Sequence, residues 1–555
     1  MKNQNVKVWF RSGTPWVWLT ASAVTISVIM VIGLLLLIMV RGLGYFWPAA
    51  VHEFSYDEPD KGNITVIGEI YDEEVVGVAR LKEAGLAFPQ DASEVTRYLI
   101  KIGNRELNSL DFRWIDDFRI ELQKQPEQIF VAERREWGNF YGYLEAIKES
   151  GEVVAQGQAA WSSLWQRLAR ADKIFSEIRE VEKHDIGAIN YQLEKVRLRE
   201  RQAKLENDND TQLLSRFSQQ RAKLNAEYES LMGKLAQLNQ DIARDSITAR
   251  TSDGQVVEIA LSNIIGIHLP NQMSVWSKAY FYIKNLKNFI VGEPREANTE
   301  GGIFPAIFGT VLMVLIMSVI VTPFGVVAAI YLREYAKQGF VTRTIRIAVN
   351  NLAGVPSIVY GIFGLGFFVY FLGGNIDQLF YPEVLPAPTF GTPGILWASL
   401  TLAILTVPVV IVATEEGLSR IPRSMREGSL ALGATKWETL WRTILPVASP
   451  AIMTGLILAV ARAAGEVAPL MLVGVVKLAP SLPLDGNFPF LHLDRKFMHL
   501  GFHIYDVGFQ SPNVEAARPL VYATALLLVI VIILLNLTAI AIRNRLREKF
   551  KALDH

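Results

Sequence analysis

The 555-residue sequence contains no cysteine. Structural disulfides, thiolate zinc sites, iron–sulfur clusters and a cysteine nucleophile are therefore excluded together. Charged residues are also scarce, at 20% of the chain against 50% hydrophobic residues. Lys plus Arg and Asp plus Glu number 55 each, so the overall charge gives no indication of nucleic-acid binding. So apolar a composition in so long a chain favours a membrane protein.

Motifs for ATP hydrolysis and covalent catalysis are missing as well. The sequence has no G-x-x-x-x-G-K-[ST], no H-E-x-x-H, no G-x-S-x-G and no dinucleotide-binding glycine fingerprint after a strand. The histidines are too scattered to predict a metal site; they include His184, His268, His492, His499 and His503. We therefore predict a chain that is not an enzyme and holds no cofactor. Active transport by such a chain takes its energy from a partner or from an ion gradient.

Long stretches with few or no charged residues are the main positive signal. A helix that crosses the bilayer needs about 20 mostly apolar residues. Six stretches meet this requirement: residues 17–40, 303–331, 348–372, 395–414, 447–476 and 519–542. The first is too long for the core of a signal peptide and lacks a small-x-small cleavage site, so we expect an uncleaved anchor.

The basic residues between these stretches predict their orientation. Two connections are rich in Lys and Arg: one contains Arg333, Lys337, Arg343 and Arg346, and the other Arg420, Arg423, Arg426, Lys436 and Arg442. The loop 373–394 between the third and fourth stretches has neither. We therefore predict that the N-terminus (1–16) and the basic tail (543–555) are cytoplasmic. Residues 41–302 then form a large periplasmic domain.

That domain has a soluble composition with two kinds of pattern. Short apolar–polar alternations between about 63 and 154, resuming from 247 to 267, predict a β-rich unit. The charged segment 159–245 between them is helical in character. In it Phe217, Leu224, Leu231 and Leu238 recur every seven residues.

The run Asn-Asp-Asn-Asp at 207–210 interrupts the helical segment. We therefore predict a solvated antiparallel helical hairpin, inserted in the β-rich unit, with Asp210 or Thr211 capping the returning helix. Residues 276–289 then form an amphipathic stretch suited to the membrane surface.

The loop 415–446, between the fourth and fifth stretches, carries the most specific motif. Gly433 lies six residues after Glu427, and Leu445-Pro446 follow Gly433. This spacing resembles the EAA loop of ABC importer permeases, in which E-A-A, three residues, Gly and nine residues precede I-x-L-P. Gly428, Ser429 and Thr443 replace the two alanines and the isoleucine. The alternative interpretation is an ordinary basic loop.

The physical properties of this motif suit the role that the resemblance implies. Two short helices joined at a glycine with positive φ form a compact element that fits a groove of a partner. Such an element passes rigid-body motion of an ATPase to the membrane helices. The resemblance therefore assigns ATPase coupling to Glu427, Gly433, Leu445 and Pro446.

Two further runs narrow the family. N-L-A-G-V-P-S-I-V-Y-G spans Asn351 to Gly361, and A-R-A-A-G-E-V-A-P-L spans Ala461 to Leu470. Together with Thr414 to Glu427 they resemble the A-type permease of the phosphate-specific ABC transporter (PstA type), over about residues 300–551. Val467 replaces the more usual threonine.

The resemblance implies a fold and a set of partners. The fold is an all-α polytopic membrane protein of six transmembrane helices, the type I ABC importer permease fold, here with a large periplasmic α+β domain between the first two helices. The implied function is phosphate import across the bacterial inner membrane. The implied partners are a homologous second permease (PstC type), two ATP-binding subunits (PstB type) that use the ATP, and a periplasmic phosphate-binding protein (PstS type), besides membrane lipid.

Candidate residues for the translocation pathway lie in the same two runs. Arg462 and Glu466 are four residues apart on one predicted helix face and neutralise each other. A charge at the bilayer centre costs at least roughly 2.5 to 3.5 kcal/mol, so the pair is a functional hypothesis, with Arg462 as a transient phosphate contact. Asn351, Ser357 and Tyr360 are candidate pore-lining residues. The alternatives are a structural ion pair near a helix end and close helix packing at small residues.

Three other functions stay open at this point. The first is a permease for another solute, because EAA loops do not specify cargo. The second is a membrane sensor with a large outer domain, and the third is an ion-driven secondary transporter. A secondary transporter needs no EAA loop, and we detect no inverted repeat in the second half. Co-purification with an ATP-binding chain separates an ABC importer from the last two.

Overall fold

A computed structural model of the chain describes residues 9–58, 62–78, 82, 93–206, 211–511 and 514–551. Six helices in these ranges are long and apolar enough to cross a membrane. They are Thr14–Gly44, Phe304–Tyr335, Ser357–Phe380, Ile395–Ser419, Lys436–Gly465 and Ala517–Glu548, and we call them the first to sixth membrane helices. Each is also long enough for the hydrocarbon core, since about 20 residues suffice.

The third membrane helix does not begin where the sequence predicted. A separate helix, Phe340–Leu352, ends ahead of Gly354 and Pro356, and the membrane helix begins at Ser357. Proline has no N–H to donate and disfavours helical backbone at the residue before it. The prediction of one span over 348–372 is therefore wrong at its N-terminal end, and the helix continues to Phe380.

The fifth membrane helix is also misplaced by the sequence prediction of 447–476. It begins at Lys436, passes through a π-helical turn at Leu440–Ile444 and ends at Gly465. Glu466 has extended backbone, with ψ of 133°, and only the short helix Leu470–Val473 follows. The sequence around this break is apolar apart from Arg462 and Glu466, so its average hydrophobicity extended the predicted span past the break.

The ends of the other membrane helices extend beyond the predicted stretches. The first covers Thr14–Gly44 where 17–40 was predicted, and the helix that contains the sixth runs from Val514 to Lys551 where 519–542 was predicted. A helix can continue into polar flanking residues because its backbone hydrogen bonds are internal. The predicted stretches end earlier because they were bounded at the first charged or polar residues.

The fourth membrane helix lies at the centre of the membrane part. Leu402, Thr406 and Val410 are fully buried, and the cluster around them includes Met317 of the second helix and Ala459 of the fifth. In contrast, the first membrane helix buries only Gly42 among its described residues. The second, fourth and fifth helices therefore form the packed core.

The inserted domain, residues 41–302, contains two antiparallel sheets. The first has the order β4-β3-β2-β1-β5. Its strands are Val51–Glu58 (β1), Gly62–Gly77 (β2), Glu94–Lys101 (β3), Phe112–Asp116 (β4) and Ile120–Lys124 (β5). The β-rich unit thus begins at Val51, before the predicted 63. Polar residues alternate with buried Phe54 and Tyr56 in β1, so this strand resembles a loop in composition.

The second sheet has the order β10-β9-β7-β6-β11, with β8 paired to β7. Its strands are Phe130–Arg134 (β6), Phe140–Glu149 (β7), Glu152–Gln156 (β8), Asp245–Arg250 (β9), Val256–Ala260 (β10) and Ile264–His268 (β11). A short pair, Pro294–Arg295 (β12) and Glu300–Gly301 (β13), precedes the second membrane helix. β7 pairs with β9 across the helical segment, which is therefore an insertion in this sheet.

The inserted helices are Gln158–Glu180, a π-helical segment Val181–Ile186, Gly187–Leu205 and Thr211–Ile242. The predicted turn at 207–210, with its capping Asp210, lies outside the described residues. The base of the hairpin is not solvated as predicted. Leu164 is fully buried in one cluster with Phe130 and Ile247 of the sheet. Apolar residues recur at intervals of three and four in the helix Gln158–Glu180, among many charged residues. The sequence prediction did not recognise this apolar stripe, which packs on the sheet.

The amphipathic stretch is a helix, Val275–Val291, capped by the Ser274 hydroxyl. We call it the interfacial helix. Its Phe289 packs against Phe46, which follows the first membrane helix, at 5.0 Å between ring centroids. Its Trp276 and Tyr280 are exposed by 86% and 74%, as a membrane-surface helix requires.

Candidate functional site

The Gly433 turn, residues 423–439, has the geometry that the motif requires. The helix Arg423–Ala431 ends just before Gly433, whose φ is +86°. The next helix starts at Lys436 with a capping box: Thr435 Oγ1 accepts from the N–H of Glu438 at 3.2 Å, and the Glu438 carboxylate accepts from the N–H of Thr435 at 2.9 Å. Positive φ carries little cost for glycine, so this residue permits the reversal.

The surface of the Gly433 turn is apolar and exposed. Leu432 is 90% exposed, and the rings of Trp437 and Trp441 stack at 5.8 Å while remaining exposed. Glu427 is exposed beside them, whereas Leu445 and Pro446 are half-buried at the point where the fifth membrane helix continues past its π-helical turn. Exposed apolar patches of this kind occur at protein–protein contact surfaces and at membrane surfaces.

A half-buried ion pair attaches this turn to the second membrane helix. Arg426 Nη2 lies 2.9 Å from Glu334 Oε1, and the same guanidinium donates to the carbonyls of Leu418 and Ile421 at 2.8 Å. Lys436 Nζ donates to the Glu334 carbonyl at 2.5 Å. Sequence reasoning missed Glu334, which is 92 residues from Arg426. Its one signal was an acidic residue in a basic connection.

The two runs around the helix breaks meet in the structure. A Cβ placed on Gly361 would lie 2.6 Å from Pro469 Cα, so only glycine allows the third membrane helix to touch the break in the fifth. Tyr360 is buried in one cluster with Ala463 and Leu470, and its hydroxyl donates to the Leu352 carbonyl at 2.6 Å. The break in each run therefore packs against the other.

Asn351 and Ser357 are placed differently from Tyr360. Asn351 is exposed in the last turn of the helix Phe340–Leu352, and Ser357 is half-buried at the start of the third membrane helix. Their side chains make no hydrogen bond with the part of the chain that the structure describes. All five candidate pathway residues thus lie close to the two breaks, but only Tyr360 is buried in the cluster where the breaks pack together.

Arg462 and Glu466 form the ion pair that the sequence predicted, with a different geometry. Arg462 Nε lies 3.5 Å from Glu466 Oε1, and the two side chains are 33% and 21% exposed. Arg462 is in the last turn of the fifth membrane helix, and Glu466 lies just past its end. The expected shared helix face is therefore wrong: the extended backbone of Glu466 turns its carboxylate back toward Arg462.

Comparison with known proteins identifies this arrangement. Residues 321–551 match the family described as "Binding-protein-dependent transport system inner membrane component". Phosphate transport system permease protein PstA 1 of Mycobacterium tuberculosis (strain H37Rv) is 35% identical over 247 residues, covering 44% of this chain and 70% of its own. The chain belongs to the PstA-type ABC permeases.

Other relatives of this PstA-type permease give similar alignments. PstA of Yersinia pestis is 34% identical over 250 residues, covering 45% of this chain and 75% of its own. A probable ABC transporter permease of Bacillus subtilis, YqgI, is 32% identical over 235 residues, covering 41% and 74%. Among solved structures, the inward-facing MetNI methionine ABC transporter aligns with 43% of this chain and 94% of its own, at 18% identity and a TM-score of 0.33.

All nine residues selected for coupling and translocation lie in the part of the PstA-type permease that matches the family, 321–551. The whole inserted domain, residues 41–302, lies outside it, and the matched relatives cover less than half of this chain. The family match thus covers residues 321–551, and the inserted domain requires its own explanation.

Proposed function

We propose that this chain is the non-catalytic permease subunit of an ATP-driven importer for inorganic phosphate, and that it forms half of the pathway across the bacterial inner membrane. The names of the relatives support the cargo, since those from Mycobacterium tuberculosis and Yersinia pestis are phosphate transport permeases. No cofactor is needed in this chain, because ATP is used by the partner. The basic connections support cytoplasmic termini and a periplasmic inserted domain.

The observation that carries this proposal is the position of Arg462. Its guanidinium is partly accessible, lies beside a helix break and is held by one carboxylate, that of Glu466, at 3.5 Å. Phosphate near neutral pH carries one to two negative charges and several acceptor oxygens. A guanidinium binds such an anion with two parallel charge-assisted hydrogen bonds.

Glu466 is the partner of Arg462 when no phosphate is bound. In the empty state its carboxylate neutralises Arg462, so no isolated charge is left where the dielectric constant is low. An arriving phosphate replaces the carboxylate, and Glu466 returns when the anion leaves. Because passage requires a weak site, the exchange affects the rate of uptake more than the affinity at the binding protein. The Tyr360 hydroxyl, already donating to Leu352, holds the neighbouring helix start in place.

The Gly433 turn supplies the coupling in this proposal. Leu432, Trp437 and Trp441 form the surface for an ATP-binding subunit, and the pair Arg426–Glu334 transmits its movement to the second membrane helix. The complete importer then contains this chain, a PstC-type permease, two PstB-type ATP-binding subunits and a PstS-type phosphate-binding protein. Relatives of both the PstA and PstC names support the paired permeases.

Uptake by the reconstituted importer tests the role of Arg462. Loss of a charge-assisted hydrogen bond costs about 1.5 to 3 kcal/mol, which is roughly a 10- to 150-fold loss of rate for Arg462→Gln. Arg462→Lys keeps the charge and part of the uptake. The matched control Arg545→Gln removes an exposed arginine at the far end of the sixth membrane helix and leaves uptake unchanged.

Two results would contradict the proposal in different ways. Phosphate uptake by Arg462→Gln at the parental rate, with normal protein levels, returns the pair Arg462–Glu466 to a structural role. Uptake of another solute but not of phosphate by the parental importer leaves an ABC permease with a different cargo.

A further inference from the structure

A cavity of about 1200 Å³ lies between the inserted domain and the membrane helices. We call it the interface cavity. Its walls come from the end of the first membrane helix with residues 45–49, from the interfacial helix, from strands β2 and β3, and from the segment 292–302. It exceeds the usual 300 to 1000 Å³ range of small-molecule pockets. Translocation, as proposed above, does not use this space.

The two sides of the interface cavity differ in chemistry. On the membrane side, Val40, Phe46, Phe289 and Pro519 give an apolar lining. Trp47 adds an exposed aromatic ring just after the first membrane helix, where aromatic residues mark the level of lipid headgroups. The side formed by the sheet strands is charged. The cavity therefore matches a molecule with one apolar end and one charged end.

The charges lining the cavity are balanced but only partly paired. Six basic residues and six acidic residues contribute: Arg41, Lys101, Arg105, Arg135, Arg179 and Arg295 with Glu69, Glu133, Glu136, Glu293, Glu296 and Glu300. Several close into ion pairs within the protein: Arg105 with Glu296 at 2.5 Å, Arg295 with Glu133 at 2.5 Å, and Arg179 with Glu293.

Three of the remaining groups are placed by strand register. Glu69 of β2 is directly opposite Lys101 of β3, and Arg295 of β12 is opposite Glu300 of β13. Opposed residues in antiparallel strands have Cβ atoms about 4.5 to 5.5 Å apart, close enough for an ion pair. Neither pair comes within 4.0 Å in the described chain, because Arg295 binds Glu133 and the Glu69 carboxylate accepts from the Tyr141 hydroxyl at 3.0 Å.

Lys101, Glu69 and Glu300 influence one another's charge. Burial lowers the pKa of Lys101, but the carboxylates of Glu69 and Glu300, with Tyr45 and Asp111, outweigh it and raise that pKa, so the ammonium stays charged. Burial raises the pKa of Glu69 and of Glu300, because the anions are poorly solvated. Among the described residues, Lys101, Glu69 and Glu300 are thus held without a direct ion pair, an arrangement that costs free energy until a ligand completes it.

We propose that the interface cavity binds the headgroup of an aminophospholipid, with its phosphate at Lys101 and its ammonium between Glu69 and Glu300. The acyl chains then run along Val40 and Phe289 into the bilayer. A purely anionic headgroup would meet the two carboxylates unfavourably. A quaternary ammonium would lack the N–H donors that those carboxylates accept.

Lipid binding to the full-length chain in nanodiscs tests the proposal. Native mass spectrometry measures binding of phosphatidylethanolamine, phosphatidylcholine and phosphatidylglycerol, and of soluble phosphoethanolamine. We expect phosphatidylethanolamine to bind most tightly. Glu69→Gln and Glu300→Gln, on separate strand pairs, each weaken it about tenfold by removing a charge-assisted hydrogen bond. Lys101→Gln weakens the binding of all three phospholipids, and Lys101→Arg retains it.

Matched controls separate the site from general surface charge. Lys287→Gln on the exposed side of the interfacial helix and Glu152→Gln in β8 change the same charges outside the cavity and leave lipid binding unchanged. Equal binding of the three lipids, unaffected by the cavity variants, overturns the proposal. Soluble phosphoethanolamine binding as tightly as the lipid overturns the assignment to a membrane lipid. If one glutamine variant fails to fold, the other decides.

Discussion

The backbone of Gly433 provides a sharp test of the proposed coupling element. Its φ of +86° lies in the left-handed region, and a Cβ at this position would meet no heavy atom within 4 Å. Substitution therefore changes backbone strain without a steric clash. We consider Gly433→Asn, Gly433→Ala and Gly433→Val. Gly428→Ala is the matched control, because Gly428 also faces open space but lies within the helix Arg423–Ala431.

The expected effects follow from the cost of positive φ. The left-handed conformation costs an ordinary residue about 1 to 2 kcal/mol, and asparagine less because its side chain bonds locally. A strained β-branched residue reaches about 3 kcal/mol. If this strain disfavours the turn, its population falls by about 5-fold for 1 kcal/mol and about 150-fold for 3 kcal/mol. Gly428→Ala instead favours its helix by about 0.5 to 1 kcal/mol.

Binding of the ATP-binding subunit to the solubilised permease is the direct assay. A partner that recognises only the intact turn binds more weakly in proportion to the lost population. We therefore expect the dissociation constant to rise in the order Asn, Ala, Val at Gly433. Phosphate uptake should fall in parallel, and the amount of each variant in the membrane should stay normal, since the substituted position is exposed.

Two outcomes would refute this reasoning. Parental binding and uptake by Gly433→Val would show that the turn is not the coupling element. Impairment by Gly428→Ala as large as that by Gly433→Ala would show that any added methyl group on this surface disturbs the contact, so that backbone strain is not the cause.

The remaining predictions concern orientation, the hairpin and pH. Reporters fused after Gly151 and after Glu416 should lie on opposite sides of the membrane, and detection on one side would contradict the six-helix topology. Leu164→Ala should destabilise the inserted domain by about 2 to 5 kcal/mol in thermal unfolding, because Leu164 is fully buried. Leu231 is only half-buried in the contact between the hairpin helices, so Leu231→Ala should destabilise the domain less. Burial lowers the pKa of His268 to about 4, below its value of about 6.5 in an unfolded chain, so the unfolded state binds the proton first and stability falls as pH drops from about 6.5 toward 4. Because the His268 side chain lines the interface cavity and is only half-buried, this loss should stay below about 3 kcal/mol. His268→Gln should reduce the slope of stability against pH, and an unchanged slope would assign it to other groups.

The helical hairpin contacts the core of the second sheet, and this contact changes the expected result of deleting the hairpin. From sequence alone, replacing residues 159–245 by a short linker is expected to leave assembly intact. In the structure, the helix Gln158–Glu180 supplies Leu164 and Ala171 to the core of the second sheet, so that replacement removes part of the core. Only the outer part is separable, and even there Lys195 donates to the Phe488 carbonyl at 3.1 Å.

The sequence by itself determined the features that depend on local chemistry. Six mostly apolar stretches predicted six membrane helices, because an apolar run of that length has few other stable environments. The spacing from Glu427 to Pro446 located the Gly433 turn, because only glycine combines that position with positive φ at little cost. The run from Ala461 to Leu470 also contained the partners Arg462 and Glu466.

Tertiary structure alone decided the rest, because it depends on residues that are distant along the chain. The helix ends at Leu352 and Gly465 lie inside stretches that are apolar enough on average to predict one continuous span each, 348–372 and 447–476. The pair Arg426–Glu334 joins two helices, and no local pattern signals it. In the wall of the interface cavity, strand register places Glu69 opposite Lys101, while Arg295 pairs with Glu133. Periodicity identifies which residues are apolar or charged, but packing decides which charges find a partner.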